Sequence, residues 1–464
     1  MAPHSPIVAQ NSKIASMSFS RLQRTLPVLV LCMACSIGSA HANAQMLAHP
    51  GWSGNGMAAE PWWKHAVIYE IFPSSFRDAD GNGNLKGITQ HLDYLQSLNI
   101  DAITLSPIYS ASPEGYTTGY MEIDPQLGTM DDFDTLMREA GRRNIRVLLG
   151  MDLDPACIQE KAALSSIHFW LNHGVAGFEV YASAVDPAEI HPLLHDLRKA
   201  TDSAVGQRML VGETSAATAA ELAKMYGHND ELQLPFDTQF AAIDKLDVTA
   251  FRMRLTEAET QLNGNQPLLY FDNPDKTRSW DRFSEGMSSA RDRDSIARIF
   301  ATVLLTTRAA AQIYYGQEIG MSGGERMSMP WDRRANASST ATNVADEEKD
   351  PDSLLNWYRK LIALRSSNTA LRSGSNVMLN HDAQNTLVWI RKPAKPSLDD
   401  PAVVIACNFS AQPVTLSLNA DMKSNGVRGS FLRTIVRTDH GMGPMDLDAL
   451  QLPPYGVYIG EVRY

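Results

Sequence analysis

Four side chains stand where short apolar runs give way to turn residues, and all four can carry acid–base or nucleophilic chemistry. Glu179 and Tyr181 end the run Gly177-Phe178-Glu179-Val180-Tyr181, Glu213 ends Met209–Glu213, and Asp275 follows Leu268–Asp272 in Asn273-Pro274-Asp275. Two carboxyl groups held within a few ångströms can work as a pair, one as nucleophile and the other as acid and then base. Strand residues alternate between faces, so Glu179 and Tyr181 point the same way. Two arrangements follow: Glu179 paired with Glu213 across a cavity, or Tyr181 as a nucleophile with Glu179 as its base. A second cluster offers Asp78, Asp80, Asn82 and Asn84 at alternate positions. Such spacing of oxygen side chains suits a hard cation such as calcium. The loop lacks the bidentate glutamate that ends an EF-hand loop, and a glycine-rich Asx turn is the other reading.

These residues need elements to hold them. From about Trp62 onward, β-rich apolar runs alternate with segments of helical period, the mark of βαβ units and a parallel sheet. The expected strands are Ala66–Phe72, Ala102–Ser106, Arg146–Gly150, Gly177–Tyr181, Met209–Glu213, Leu232–Phe236, Leu268–Asp272 and Gln312–Gly316. Eight such units close most naturally into a (β/α)8 TIM barrel, with the strand ends gathered at one rim. Met130–Arg143 and Asp352–Arg365 read as helices with one apolar face. After Ser373, the runs Leu387–Ile390, Ala402–Cys407, Val414–Leu418 and Val457–Val462 predict an antiparallel β-domain. The expected division is 1–44 signal peptide, 45–61 linker, 62–372 barrel and 373–464 C-terminal β-sandwich, with 335–350 as a loop.

Arg21 and Arg24 precede the apolar stretch Leu26–Ile37, and Ala40-His41-Ala42 and Ala42-Asn43-Ala44 both fit a small-x-small cleavage site. The chain is therefore expected to be exported, to the periplasm or beyond, with Met17 an alternative start. The stretch is too short to span a bilayer, so no membrane-spanning segment is expected after its removal. The formal net charge of -11 excludes a basic nucleic-acid surface. Cys157 and Cys407, in different domains, are expected as buried free thiols.

Beyond the single residues, an ordered set of stretches resembles glycoside hydrolase family 13, the α-amylase family, in its oligo-1,6-glucosidase, α-glucosidase and trehalose synthase branch. Trp62–Tyr69, Leu105-Ser106-Pro107-Ile108-Tyr109, Asp124–Thr129, Val211-Gly212-Glu213-Thr214, Ile313–Met321 and Arg326–Asp332 carry the likeness, from Trp62 to the end of the chain. The resemblance implies Glu213 as general acid/base and Asp275 as the carboxylate that steadies the transition state. It also implies a calcium loop at Asp78–Asn84, shortened by two residues. Tyr116, Asp154 and Arg278 would bind sugar. Of Trp62, Trp63, Tyr116 and Trp331, Tyr116 is the one expected to stack on it.

The chain also departs from that pattern. Tyr181 stands where the family has its nucleophilic Asp, and Glu179 where it has the partner Arg. Pro155 and Pro274 replace the two sugar-holding histidines, and Gly150 and Thr117 replace two aspartates. The family's strand-three insertion domain is missing. The leading expectation is a catalytically impaired protein that binds an α-linked gluco-oligosaccharide or small α-glucoside, or supports a protein partner. The alternatives are an active glucosidase or transglycosylase with a relocated nucleophile, and a non-enzymatic interaction scaffold.

Overall fold

The computed structural model describes residues 60–77, 83–111, 117–153, 162–287, 289–324, 326–332 and 342–464. Its centre is an eight-stranded parallel sheet. The strands are β1 (Val67–Ile71), β2 (Ala102–Leu105), β3 (Arg146–Asp152), β4 (Gly177–Tyr181), β5 (Met209–Glu213), β6 (Leu234–Pro235), β7 (Leu268–Leu269) and β8 (Ala310–Tyr314). They are hydrogen-bonded in the order β6-β5-β4-β3-β2-β1-β8-β7. A parallel bridge between Phe236 and Leu268 joins β6 to β7 and closes the sheet into a barrel.

Alternation along the strands produces two separate apolar clusters. Inward residues Ile68, Ala102, Leu148, Met209, Leu234, Leu268 and Ala310 fill the lower barrel. Outward residues such as Tyr69, Ile103, Leu149, Phe178 and Ile313 belong to a larger core shared with the surrounding helices. Those helices include α1 (Met130–Arg142), α2 (Ala162–Asn172), α3 (Pro187–Asp202), α4 (Val248–Gln261), α5 (Ala290–Thr306) and α6 (Leu354–Ser367). Thr129 and Asp132 form a reciprocal capping box that starts α1, and its Phe133, Leu136 and Ala140 are buried. α3 opens with Asp186 as N-cap and Pro187 in the first turn, where its missing N–H costs nothing.

β1 and β2 are trimmed by one or two residues, and two strands are much shorter than their sequence runs. β6 ends at Pro235, beyond which the Phe236 N–H still donates to the Gly212 carbonyl at 2.9 Å. β7 stops at Leu269, and beyond it Asp272 accepts hydrogen bonds from the N–H and hydroxyl of Ser279. β8 ends before Gly316, whose φ of 83° turns the chain. β3 and α2 are connected by residues 153–161 alone, which leaves no room for an inserted domain.

The C-terminal part holds β9 (Ser375–Leu379), β10 (Thr386–Lys392), β11 (Val403–Asn408), β12 (Val414–Leu416), β13 (Phe431–Arg437), β14 (Pro444–Asp446), β15 (Leu450–Leu452) and β16 (Val457–Arg463). Six of them form an antiparallel sheet in the order β9-β10-β11-β16-β13-β14, and β12 pairs with β15. One face of the larger sheet is covered by the β12–β15 pair, through Val388, Val404, Leu416 and Leu450. The other face, with Trp389, Ile405, Cys407 and Ile459, merges with the barrel's helical layer. Cys407 is a buried free thiol, whereas Cys157 lies outside the described residues. Among the described residues no helix is long and apolar enough to cross a membrane.

Candidate active site

Above the apolar lower barrel the inward positions turn polar. Glu70 on β1, Thr104 on β2, Glu179 on β4 and Gln312 on β8 are each wholly buried. The Gln312 amide bridges the two glutamates, donating to Glu70 Oε2 at 2.9 Å and to Glu179 Oε1 at 3.2 Å. Ser106 donates to Glu70 Oε1 at 3.2 Å. Among the described residues no arginine or lysine is hydrogen-bonded to either carboxylate. Burial, then the charge of Glu179, raises Glu70 well above the usual carboxylate range. Burial likewise pushes Glu179 up to about 7.

Tyr181 ends β4 one layer higher and is half-buried. Its hydroxyl lies 3.0 Å from Glu179 Oε1 and 3.4 Å from Glu70 Oε1, so it is turned into the core. The ring rests against Gly150 on β3: a Cβ there would come within 3.1 Å of Tyr181 Cε2 and 2.9 Å of the Leu105 carbonyl oxygen. Glycine at 150 thus lets the Tyr181 ring and the Leu105 carbonyl both approach β3 closely.

Glu213, at the end of β5, pairs in register with Tyr181 rather than with Glu179, which lies opposite Val211. It is half-buried and accepts a hydrogen bond from Ser183 at 3.2 Å. Burial raises its pKa against the lowering pull of Ser183 and Lys276. Asp275 is 80% exposed and forms an ion pair with Arg326 at 3.2 Å. The barrel end therefore gathers Tyr181, Glu213, Asp275 and Lys276, with Glu179 sealed beneath.

Other residues take different places. Arg278 is wholly buried, donates to the Tyr315 carbonyl at 2.5 Å and stacks over the rings of Tyr314 and Tyr315. It pins the chain leaving β8. Trp331 stacks on His91 at 3.5 Å, and Trp62 lies under the Arg146 guanidinium at 4.4 Å. Asn84 caps a short helix by accepting from the Gly87 N–H at 2.7 Å. Asp78, Asp80, Asn82, Tyr116, Asp154 and Pro155 lie outside the described residues. Glu70 and Gln312 escaped the reading of the sequence. Their signal was parity: each is polar at an inward position of an otherwise apolar strand.

A match to the α-amylase catalytic domain covers residues 70–154 and 151–374. The chain belongs to the α-amylase family. Alpha-amylase 3 of Dictyoglomus thermophilum is 25% identical over 459 residues, covering 79% of this chain and 89% of that protein. The glucan 1,6-alpha-glucosidase of Streptococcus pneumoniae is 24% identical, covering 85% of this chain and 99% of its own length. Among solved structures, the trehalose-6-phosphate hydrolase of Bacillus licheniformis superposes with a TM-score of 0.74 at 20% identity, covering 87% of this chain and 100% of that one.

Proposed function

We propose that this α-amylase-family chain binds an α-linked gluco-oligosaccharide or small α-glucoside at the barrel mouth and does not cleave it by the double-displacement route. The observation that carries the reading is Tyr181. The family resemblance puts it at the nucleophile's position; its ring packs against Gly150, and its hydroxyl is hydrogen-bonded to Glu179 and Glu70 below. Loss of a nucleophile removes the covalent step and lowers rate by several powers of ten. The names of the relatives, glucosidases and an amylase, support the ligand class. The leader at 1–44 supports an exported site of action, and the oxygen-rich loop at 78–84 supports calcium nearby.

The 3.0 Å contact between Tyr181 and Glu179 favours a second reading, in which Tyr181 attacks with Glu179 as its base. It requires the phenol to swing out of the core. One experiment separates the two. Glucose and nitrophenol release from maltose, isomaltose, trehalose, sucrose and nitrophenyl α-glucosides is followed for wild type and Glu213→Gln, beside calorimetric binding of the same sugars. Binding without turnover above the Glu213→Gln level is expected. Turnover that disappears in Glu213→Gln sinks the non-catalytic reading, and its further loss in Tyr181→Phe assigns the nucleophile.

A further inference from the structure

α3 carries His191 and His195 one helical turn apart. Side chains four residues apart on a helix share a face, with Cβ atoms about 5–6 Å from each other. The segment leading into β6 places a carboxylate on each ring. His191 Nδ1 lies 2.8 Å from Glu231 Oε2, and His195 Nδ1 lies 3.3 Å from Asp230 Oδ2. That segment is itself fixed: Asp230 Oδ1 accepts the His228 N–H at 2.8 Å, and Arg198 donates to the Glu231 carbonyl at 3.0 Å.

An imidazole whose Nδ1–H donates to a carboxylate keeps its lone pair on Nε2. The carboxylate also fixes the ring's orientation, as the outer-shell partner of a metal-bound histidine does. Both rings are open to solvent, 39% and 51% exposed, and neither Nε2 has a hydrogen-bond partner among the described residues. No three His, Cys, Asp or Glu side chains converge well enough there to enclose an ion. The arrangement therefore offers two nitrogen ligands, with the remaining positions left to water.

We propose that His191 and His195 bind one divalent transition ion through their Nε2 atoms, with Glu231 and Asp230 as orienting partners. Imidazole selects zinc, nickel or copper over calcium and magnesium, which prefer oxygen ligands. The test is calorimetric titration of the full chain with zinc alone, in a calcium-containing buffer that saturates oxygen sites. One equivalent is expected in wild type, weakened at least tenfold in His191→Gln and in His195→Gln. Glu231→Gln should keep the equivalent and lose about 10–100-fold in affinity. His173→Gln is the control: its Nδ1 contacts Asp134 at 3.0 Å, but positions 169 and 177 are Phe and Gly. With copper, electron paramagnetic resonance should show coupling to two nitrogens. Unchanged zinc binding in His191→Gln/His195→Gln, no bound equivalent in wild type, or an oxygen-only copper signal would each overturn the proposal.

Discussion

Glu179 and Glu70 form a buried acidic pair on which the Tyr181 hydroxyl rests, with no cation among its hydrogen-bond partners in the described residues. Glu179 binds its proton more tightly folded than unfolded, with a folded value of about 7 against an ordinary 4.5. Its contribution to stability is thus fully present below pH 4.5 and lost as pH rises through about 7. Glu179→Gln should remove most of that slope and unfold at higher denaturant than wild type at pH 8, with little difference at pH 4.5. A remaining slope belongs to Glu70, which is raised by the same burial. Tyr181→Asp is expected to leave glucoside hydrolysis within about tenfold of wild type. The new carboxylate would face the buried carboxyl groups of Glu179 and Glu70, and like charges so close disfavour its ionised form. Nitrophenyl glucoside release measures it, and a thousandfold gain would show that one residue alone silences the site. Much of this was legible in the sequence, because Tyr181, Glu179 and Gly150 sit inside recognisable strands. The Glu70–Gln312 contact was not: their strands are adjacent in the barrel but more than two hundred residues apart in the chain.

At the scale of elements, apolar runs bounded by turn residues located every barrel strand, and β4 and β5 agree with the expected limits residue for residue. Strands β9, β13, β14 and β15 were not foreseen. β13 carries Arg433 and Arg437 and bulges between Thr434 and Val436, which breaks the alternation on which such readings rest. α6 shows how one side chain can anchor an element. Buried Arg365 donates to the carbonyls of His65, Leu305, Thr307 and Ala309, at 2.6 to 3.0 Å. These carbonyls flank the starts of β1 and β8, so one guanidinium closes the barrel floor. Arg365→Met should cost about 3–5 kcal/mol, because truncation leaves buried acceptors unpaired. A urea midpoint unchanged from wild type would show that water satisfies them instead.

At the scale of the molecule, the largest core cluster runs from the barrel's helical layer into the β-domain. Phe251 of α4 meets Phe409 beyond β11 at 5.6 Å between ring centroids. Arg252 donates to the carbonyls of Ala383 and Thr386, and Arg391 of β10 to that of Thr306 at the end of α5. Scanning calorimetry should therefore record one cooperative transition for barrel and β-domain together, and two resolved peaks would mean the interface is dispensable. The order of the C-terminal sheet has a further bearing, on how the chain is made. β16 lies between β11 and β13 at its centre, yet it is the last of the strands to leave the ribosome. Ribosomes add about 5–20 residues per second, so β9, β10 and β11 wait on the order of ten seconds for the partner that covers their open edge. Through that interval the face that will seal the barrel's helices stays unfinished, and the nascent chain remains a substrate for chaperones until residues 457–463 appear.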